Sequence, residues 1–134
     1  MMQCKTEGRA LAGISSDIIR GYNDTMILYI LKQEPSYGYE ISKRIRSISE
    51  DKYIIKETTL YSAFSRMEKN GYIESYEAAG DVSGKKRTYY RISEAGLAYY
   101  REKCNEWELT KDVIQRFIDG SSYITMKGDT NGND

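Results

Sequence analysis

Histidine is absent from the 134 residues, and proline occurs once, at Pro35. Without imidazole there is no His-based catalytic triad, no zinc site of the usual mixed kind and no ordinary switch between pH 5 and 8. Two cysteines, Cys4 and Cys104, stand too far apart in sequence to suggest a CxxC pair or a disulfide scaffold. No Gly-rich phosphate loop, no GxSxG and no evident cleft pattern of paired carboxylates is present. An enzyme is therefore not expected, and neither is a metal or a cofactor. No apolar run approaches the length of a membrane span, and the first residues lack the basic-then-apolar order of a signal peptide. The cytoplasm is the expected compartment. Phenylalanine and tryptophan are scarce too, at two and one, against 13 tyrosines. Tyrosine suits half-buried surfaces and interfaces, so a thin core, partly shared with another molecule, is expected.

Charge is balanced at 20 basic and 20 acidic residues, but it is not evenly spread. Residues 1–92 hold 15 Lys and Arg against 12 Asp and Glu, while residues 93–134 hold 5 against 8. Between Gly80 and Arg91 stand Lys85, Lys86, Arg87 and Arg91, with Asp81 the one acid. A phosphate-binding surface needs local positive potential, not a basic chain.

The length suits one domain. Residues 1–15 show no sustained period and read as a loose arm. From Asp17, after a possible Ser16 cap, the apolar residues Ile18, Tyr22, Met26, Tyr29 and Ile30 approach the helical period. This helix should stop near Gln33, because Pro35 disfavours helical backbone at Glu34. Ser36 then caps a second helix carrying Tyr37, Ile41, Ile45 and Ile48, with Gly38 in its first turn implying close packing there. A third helix, roughly Thr58 to Asn70, has Leu60, Phe64 and Met67 on one face and stops at Gly71. Residues 72–77 and 86–92 read as the strands of a hairpin with a long glycine-bearing tip. In the second strand Arg87, Tyr89 and Arg91 share one face; Thr88, Tyr90 and Ile92 share the other and should face inward.

Ser93 caps a last helix from about Glu94 to Ile118. Along it Leu97, Tyr100, Cys104, Trp107, Lys111, Ile114 and Ile118 alternate at spacings of three and four, a heptad seam with Lys111 its one polar member. Such a helix is about 37 Å long, too long for three short helices to cover. A second copy of the chain is the simplest partner for Leu97, Tyr100, Cys104, Trp107, Ile114 and Ile118. Residues 120–134 read as a flexible tail. The expected organisation is thus a helix-and-hairpin domain at 16–92, a dimerisation helix at 93–119, and tails at 1–15 and 120–134.

The fold class is mainly α with a small β-hairpin, in the order of a winged helix-turn-helix. A short third helix fits the major groove, and a basic hairpin can follow the backbone into the minor groove. Thr58, Thr59, Ser62 and Ser65 have hydroxyls suited to phosphate and base contacts. The plainer alternative is an ordinary solvated face and a wing that is merely soluble. A winged-helix protein-interaction module without a DNA role is the rival function; it would not need basic residues at the hairpin.

Several ordered segments resemble the PadR-like transcriptional regulators, in the small subfamily with one long C-terminal helix. They are Tyr37-Gly38-Tyr39-Glu40-Ile41, Thr59-Leu60-Tyr61, the run from Arg66 to Ile73, and Lys85 to Ser93. The resemblance covers about residues 17–118. It implies a dimeric, cytoplasmic DNA-binding regulator, usually a repressor released by a small molecule. It also implies a recognition helix with Thr58, Thr59, Tyr61, Ser62, Ser65, Arg66 and Lys69 toward DNA, and a wing bearing Lys85, Lys86 and Arg87. Tyr61 resembles a family tyrosine near the DNA backbone; its alternative is packing against the wing.

Trp107, the one tryptophan, sits mid-seam. It reads either as interface filling or, by likeness to a drug-binding branch of that family, as half of a slot for a planar aromatic effector. The slot would include Cys104 and Lys111, where that branch has Phe and an acid. Paired lysines would turn such a slot away from cations. Cys104 by itself reads as a small buried hydrophobe.

Overall fold

The computed structural model describes residues 13–79 and 84–120. The first helix, α1 (Ser16–Ile19), is capped by Ser15, one residue before the expected cap, whose hydroxyl accepts from the Ile18 amide at 3.4 Å. It does not run on to Gln33 as one helix. A tight 3-10 turn, Arg20–Tyr22, intervenes before α2 (Asn23–Gln33). The turn rotates the register, so α2 buries Ile27, Leu28, Ile30 and Leu31, while Ile18 and Tyr29 of the expected stripe are exposed. Extended backbone at Glu34, ahead of Pro35, ends α2 as expected.

Ser36 is not a helix cap. Ser36 and Tyr37 form a short strand, β1, and α3 (Gly38–Ile48) starts after it with no side-chain cap. The misreading has a plain cause: a serine before a helical pattern satisfies the capping rule, whereas the strand's partner lies far along the chain. Ile41 and Ile45 of α3 are buried; Ile48, expected on the same face, is exposed.

The turn from α3 into α4 (Glu57–Lys69) places two non-glycine residues, Glu50 and Asp51, in left-handed backbone at φ 56° and 66°. Side chains hold it there. Arg46 pairs with Asp51 at 3.0 Å, and the Ser49 hydroxyl accepts from the Tyr53 amide at 3.0 Å. At the far end of α4, Gly71 adopts φ 80°, and the Tyr72 and Gly71 amides close back onto the Met67 and Glu68 carbonyls. This is the glycine-terminated helix end that Asn70-Gly71 foretold.

Strands β2 (Ile73–Ala79) and β3 (Lys86–Ile92) pair antiparallel, from Ile73 opposite Ile92 to Ala79 opposite Lys86. β3 is central, because β1 adds to its other edge with Ser36 opposite Tyr90 and Tyr37 opposite Tyr89. The expected hairpin is therefore part of a three-stranded sheet among the described residues. Its inner face delivers Tyr90, which stacks on Phe64 at 4.0 Å between centroids. Ile92 is half-buried, whereas Thr88, on the same face as Tyr90 but nearer the tip, lies beyond the core and is exposed.

Phe64, Leu60, Met67, Ile27, Ile41 and Ile73 are almost fully buried together. Each such side chain contributes roughly 1.5–3 kcal/mol over an exposed position. α5 (Glu94–Asp119) is tied on through its first turn. The Ser93 hydroxyl donates to the Gly71 carbonyl at 2.6 Å and accepts from the Gly96 amide at 3.0 Å. A Cβ on Gly96 would come within 2.1 Å of the Tyr72 carbonyl oxygen, so only glycine fits. Tyr99, one turn on, stacks on Tyr72 at 4.1 Å.

Residues 12–103 form one compact unit. A second contains the rest of α5 from Cys104. There Lys111 pairs with Glu108 and Arg116 with Asp112, each at 3.2 Å. Trp107, Leu109, Val113, Ile114, Phe117 and Ile118 are exposed on the single chain. Apart from 13–15 and Gly120, the expected tails lie outside the described residues, as does the hairpin tip at 80–83. No described helix is long and apolar enough to cross a membrane.

Candidate nucleic-acid interface

The outward side of α4 follows from its inward side. With Leu60, Ala63, Phe64 and Met67 in the core, Thr58, Ser62, Ser65 and Lys69 fall on the opposite face, and all four are exposed. Their spacing of four, three and four makes one continuous polar stripe. The other three residues expected at this interface lie on its flanks. Tyr61 is on one; Thr59, half-buried, and Arg66 are on the other.

Tyr61 leans on Gly38. A Cβ there would come within 2.1 Å of the Tyr61 hydroxyl, so the glycine of α3 makes room for the phenol. Its ring meets Phe64 edge-on at 5.3 Å, yet the residue remains 44% exposed. A hollow of about 330 Å³ beside it is bordered by Tyr39, Arg87 and Thr88. Tyr61 thus packs against the domain and still offers an edge to an external partner.

Arg66 engages a buried acid. Its guanidinium pairs with Asp24, whose side chain is only 8% exposed, and Asp24 also accepts from the Tyr99 hydroxyl at 3.0 Å. Burial first, and then the neighbouring Asp24 charge, push the Tyr99 phenol up to about 12. Beside Asp24, Asn23 accepts from the Tyr53 hydroxyl at 2.7 Å, and burial raises the Tyr53 phenol as well. Asp24 therefore joins α2, α4 and α5. Nothing in the local sequence marks it, because one acid on a helix otherwise reads as solvated surface.

The wing residues do not behave as one cluster. Lys85 and Lys86 are exposed, but Arg87 is half-buried with its guanidinium over the Tyr37 ring at 4.5 Å. Tyr89 meets Tyr37 edge-on at 5.3 Å and stacks near Tyr76 at 5.8 Å. Arg91 covers Tyr76 and reaches Glu74 at 3.1 Å. Alternation in β3 was enough to gather Arg87, Tyr89 and Arg91 on one face. The contributions of Tyr37 and Tyr76 needed the strand register.

Tyr100, expected in the inter-chain seam, packs in part against the core of its own domain, with the Lys32 ammonium 5.6 Å from its ring. Leu97 and Cys104 are half-buried, and Trp107, Ile114 and Ile118 are exposed.

Two helices joined by a turn, the second showing a polar face, and a sheet-borne wing with basic residues define a winged helix-turn-helix DNA-binding regulator. Known proteins agree. Residues 27–102 match the Transcriptional regulator PadR-like family. The chain belongs to that family, whose members regulate transcription by binding DNA rather than by catalysis. It is 46% identical over 108 residues to a protein of Lysinibacillus sphaericus, covering 80% of this chain and 97% of that one. A transcriptional regulator from Clostridium thermocellum is similar in structure, with a TM-score of 0.71 and 61% identity over 77% of this chain and 99% of that one. A PadR family transcription regulator from Clostridium difficile has a TM-score of 0.62 and 38% identity over 72% and 97% of the two chains.

Proposed function

We propose that the protein is a cytoplasmic repressor that grips a palindromic operator as a homodimer and is released by a small planar effector. The carrying observation is the exposed stripe Thr58, Ser62, Ser65 and Lys69, flanked by Tyr61 and Arg66 and followed by the Lys85–Arg87 wing. The stripe enters the major groove and discriminates bases; the wing follows the backbone beside it. The apolar positions of α5 beyond Cys104 support self-association. Trp107, Ile114 and Ile118 are 42%, 52% and 42% exposed on one chain, which is costly to leave in water.

Changing Lys85, Lys86 and Arg87 together to Ala should weaken specific and random duplexes alike. The slope of log affinity against log salt should fall by about 0.9 for each phosphate that the wing no longer neutralises. An unchanged slope and affinity would reduce the wing to a solvated hairpin and favour a protein partner instead. Changes at Ser62 or Ser65 should alter preference among sequences more than affinity.

The effector slot pairs Trp107 across the two-fold axis, with Cys104 and Lys111 beside it. Lys111 is held by Glu108 at 3.2 Å, so its charge is compensated and the bias against cations is weaker than the sequence alone suggests. A planar neutral aromatic compound should quench Trp107 fluorescence and lower operator affinity by the same coupling. Quenching without any change in DNA affinity would separate the slot from regulation.

A further inference from the structure

Two consecutive polar residues at the start of α2, Asn23 and Asp24, are buried. Their partners lie at the two ends of α4. Asn23 accepts from the hydroxyl of Tyr53, in the chain that leads into α4, and Asp24 pairs with Arg66, in the last turn of that helix. The two carboxylate oxygens of Asp24 serve different helices. Oδ1 meets the Arg66 guanidinium, and Oδ2 accepts from the Tyr99 hydroxyl of α5 at 3.0 Å. Tyr99 in turn stacks on Tyr72, just beyond the end of α4. A carboxylate taken out of water is costly unless such partners are kept, so the junction tolerates little movement of α4 or of the first turns of α5.

That restraint bears on the rotation of α4 about its own axis. The inner side of the helix, Leu60, Ala63, Phe64 and Met67, is held by apolar burial, which has no direction of its own. The contact between Arg66 and Asp24 is directional, and it sits one helical turn from Ser62 and next to Ser65. On a helix about 10–12 Å across, a rotation of about 20° carries an outer side-chain tip through roughly 2 Å. A hydrogen bond to a base edge is lost over that distance, whereas attraction to a phosphate, which falls only as the inverse of distance, changes little.

We infer that Asp24 is a positioning residue for sequence reading: through Arg66 and Tyr99 it fixes the rotation of α4, and with it where Ser62 and Ser65 meet the bases. The inference rests on the DNA-reading role of α4 proposed above. It gives Arg66 a different task from the stripe beside it. Handing its guanidinium to a DNA phosphate would strip a buried carboxylate of its counter-charge, so Arg66 serves as a strut and not as a phosphate contact.

The test is binding by the full chain, at several salt concentrations, to two duplexes: one selected by the wild type from a random pool, and one of random sequence. Asp24→Asn keeps the size but puts an amide donor where one of two acceptors stood. It should lower the preference for the selected duplex about tenfold, the scale of one mismatched base pair. Affinity for the random duplex and the salt slope should stay unchanged. Arg66→Gln should do the same, and the double variant should be no worse than either, because the two residues act as one unit. Tyr99→Phe keeps the ion pair and should lose about threefold, the scale of one net hydrogen bond. Where urea unfolding shows that Asp24→Asn does not fold, Tyr99→Phe decides the matter. Wild-type preference in folded variants that are merely less stable would reduce the junction to structural support and overturn the inference. A salt slope lower by about 0.9 in Arg66→Gln, with both duplexes weakened alike, would make Arg66 a phosphate contact and equally overturn it. Failure of the wild type to select any sequence would instead remove the reading beneath it.

Discussion

Residues 12–103 and the part of α5 beyond Cys104 treat their apolar side chains in opposite ways. In the first, Phe64, Leu60, Ile27 and Ile41 are at most 2% exposed, brought together by helices and strands from across the unit. In the second, Phe117 is 80% exposed and Leu109 64%. The sequence is no less apolar there. The difference lies in what surrounds it: among the described residues, this part of α5 has no second layer to bury a face against. One region completes its core from its own chain; in the other, the apolar side chains of the described part of α5 lie open to solvent on the single chain.

The largest expected effect belongs to the self-sufficient region. Phe64→Ala removes the ring that stacks on Tyr90 and should destabilise residues 12–103 by about 3–5 kcal/mol. Urea unfolding measures it, and a loss below about 1 kcal/mol would mean that this core can collapse around the gap. Ile114→Asp should leave that domain's unfolding nearly unchanged and weaken self-association by about 3 kcal/mol, through an unpaired charge in the proposed seam. Sedimentation equilibrium decides the matter; wild-type and variant chains that are monomeric alike at micromolar concentration would end the dimeric reading.

The smallest effect concerns the junction at Asp24. The Tyr99 phenol is raised from 10.0 to about 12 by burial and then by the Asp24 charge. The folded state therefore keeps its proton after the unfolded state has lost it. The stability linked to this group is complete below pH 10 and declines as pH rises toward 12. Tyr99→Phe should flatten the alkaline fall in denaturation midpoint without shifting the neutral value by much. An equally steep fall in the variant would place the alkaline sensitivity at other groups, Tyr53 and Tyr90 being raised as well.

Much of the fold was legible because its cues are local. Pro35 ended one helix, Asn70-Gly71 ended another, and Ser93 capped the last. Leu60, Phe64 and Met67 marked the inner face of α4, and from them the outer face follows by periodicity. Gly38 announced a close approach, though not that Tyr61 would occupy it. The errors arose where a local rule met a distant partner. Ser36 resembled a cap until β3 paired with it. Ile18 resembled core until the turn at Arg20–Tyr22 rotated the helix that follows.

The candidate site divides the same way. The residues of the exposed polar stripe could be named from α4 alone. Arg66 looked equivalent to them, and only its pairing with Asp24 gave it a different partner. Likewise Arg87 grouped with Lys85 and Lys86 in sequence, yet stacks on a tyrosine from β1.

Periodicity, turn residues and composition by themselves determined the order of the main helices and of the hairpin strands, the inner face of α4 and the surplus of apolar surface on α5. They could do so because each depends on residues within a few positions of one another. Tertiary structure alone decided the three-stranded sheet, the Asp24 junction and the face that Tyr37, Tyr76 and Tyr89 share. These join side chains separated by tens of residues, and no local pattern encodes which distant partner a buried acid or a stacked ring will meet.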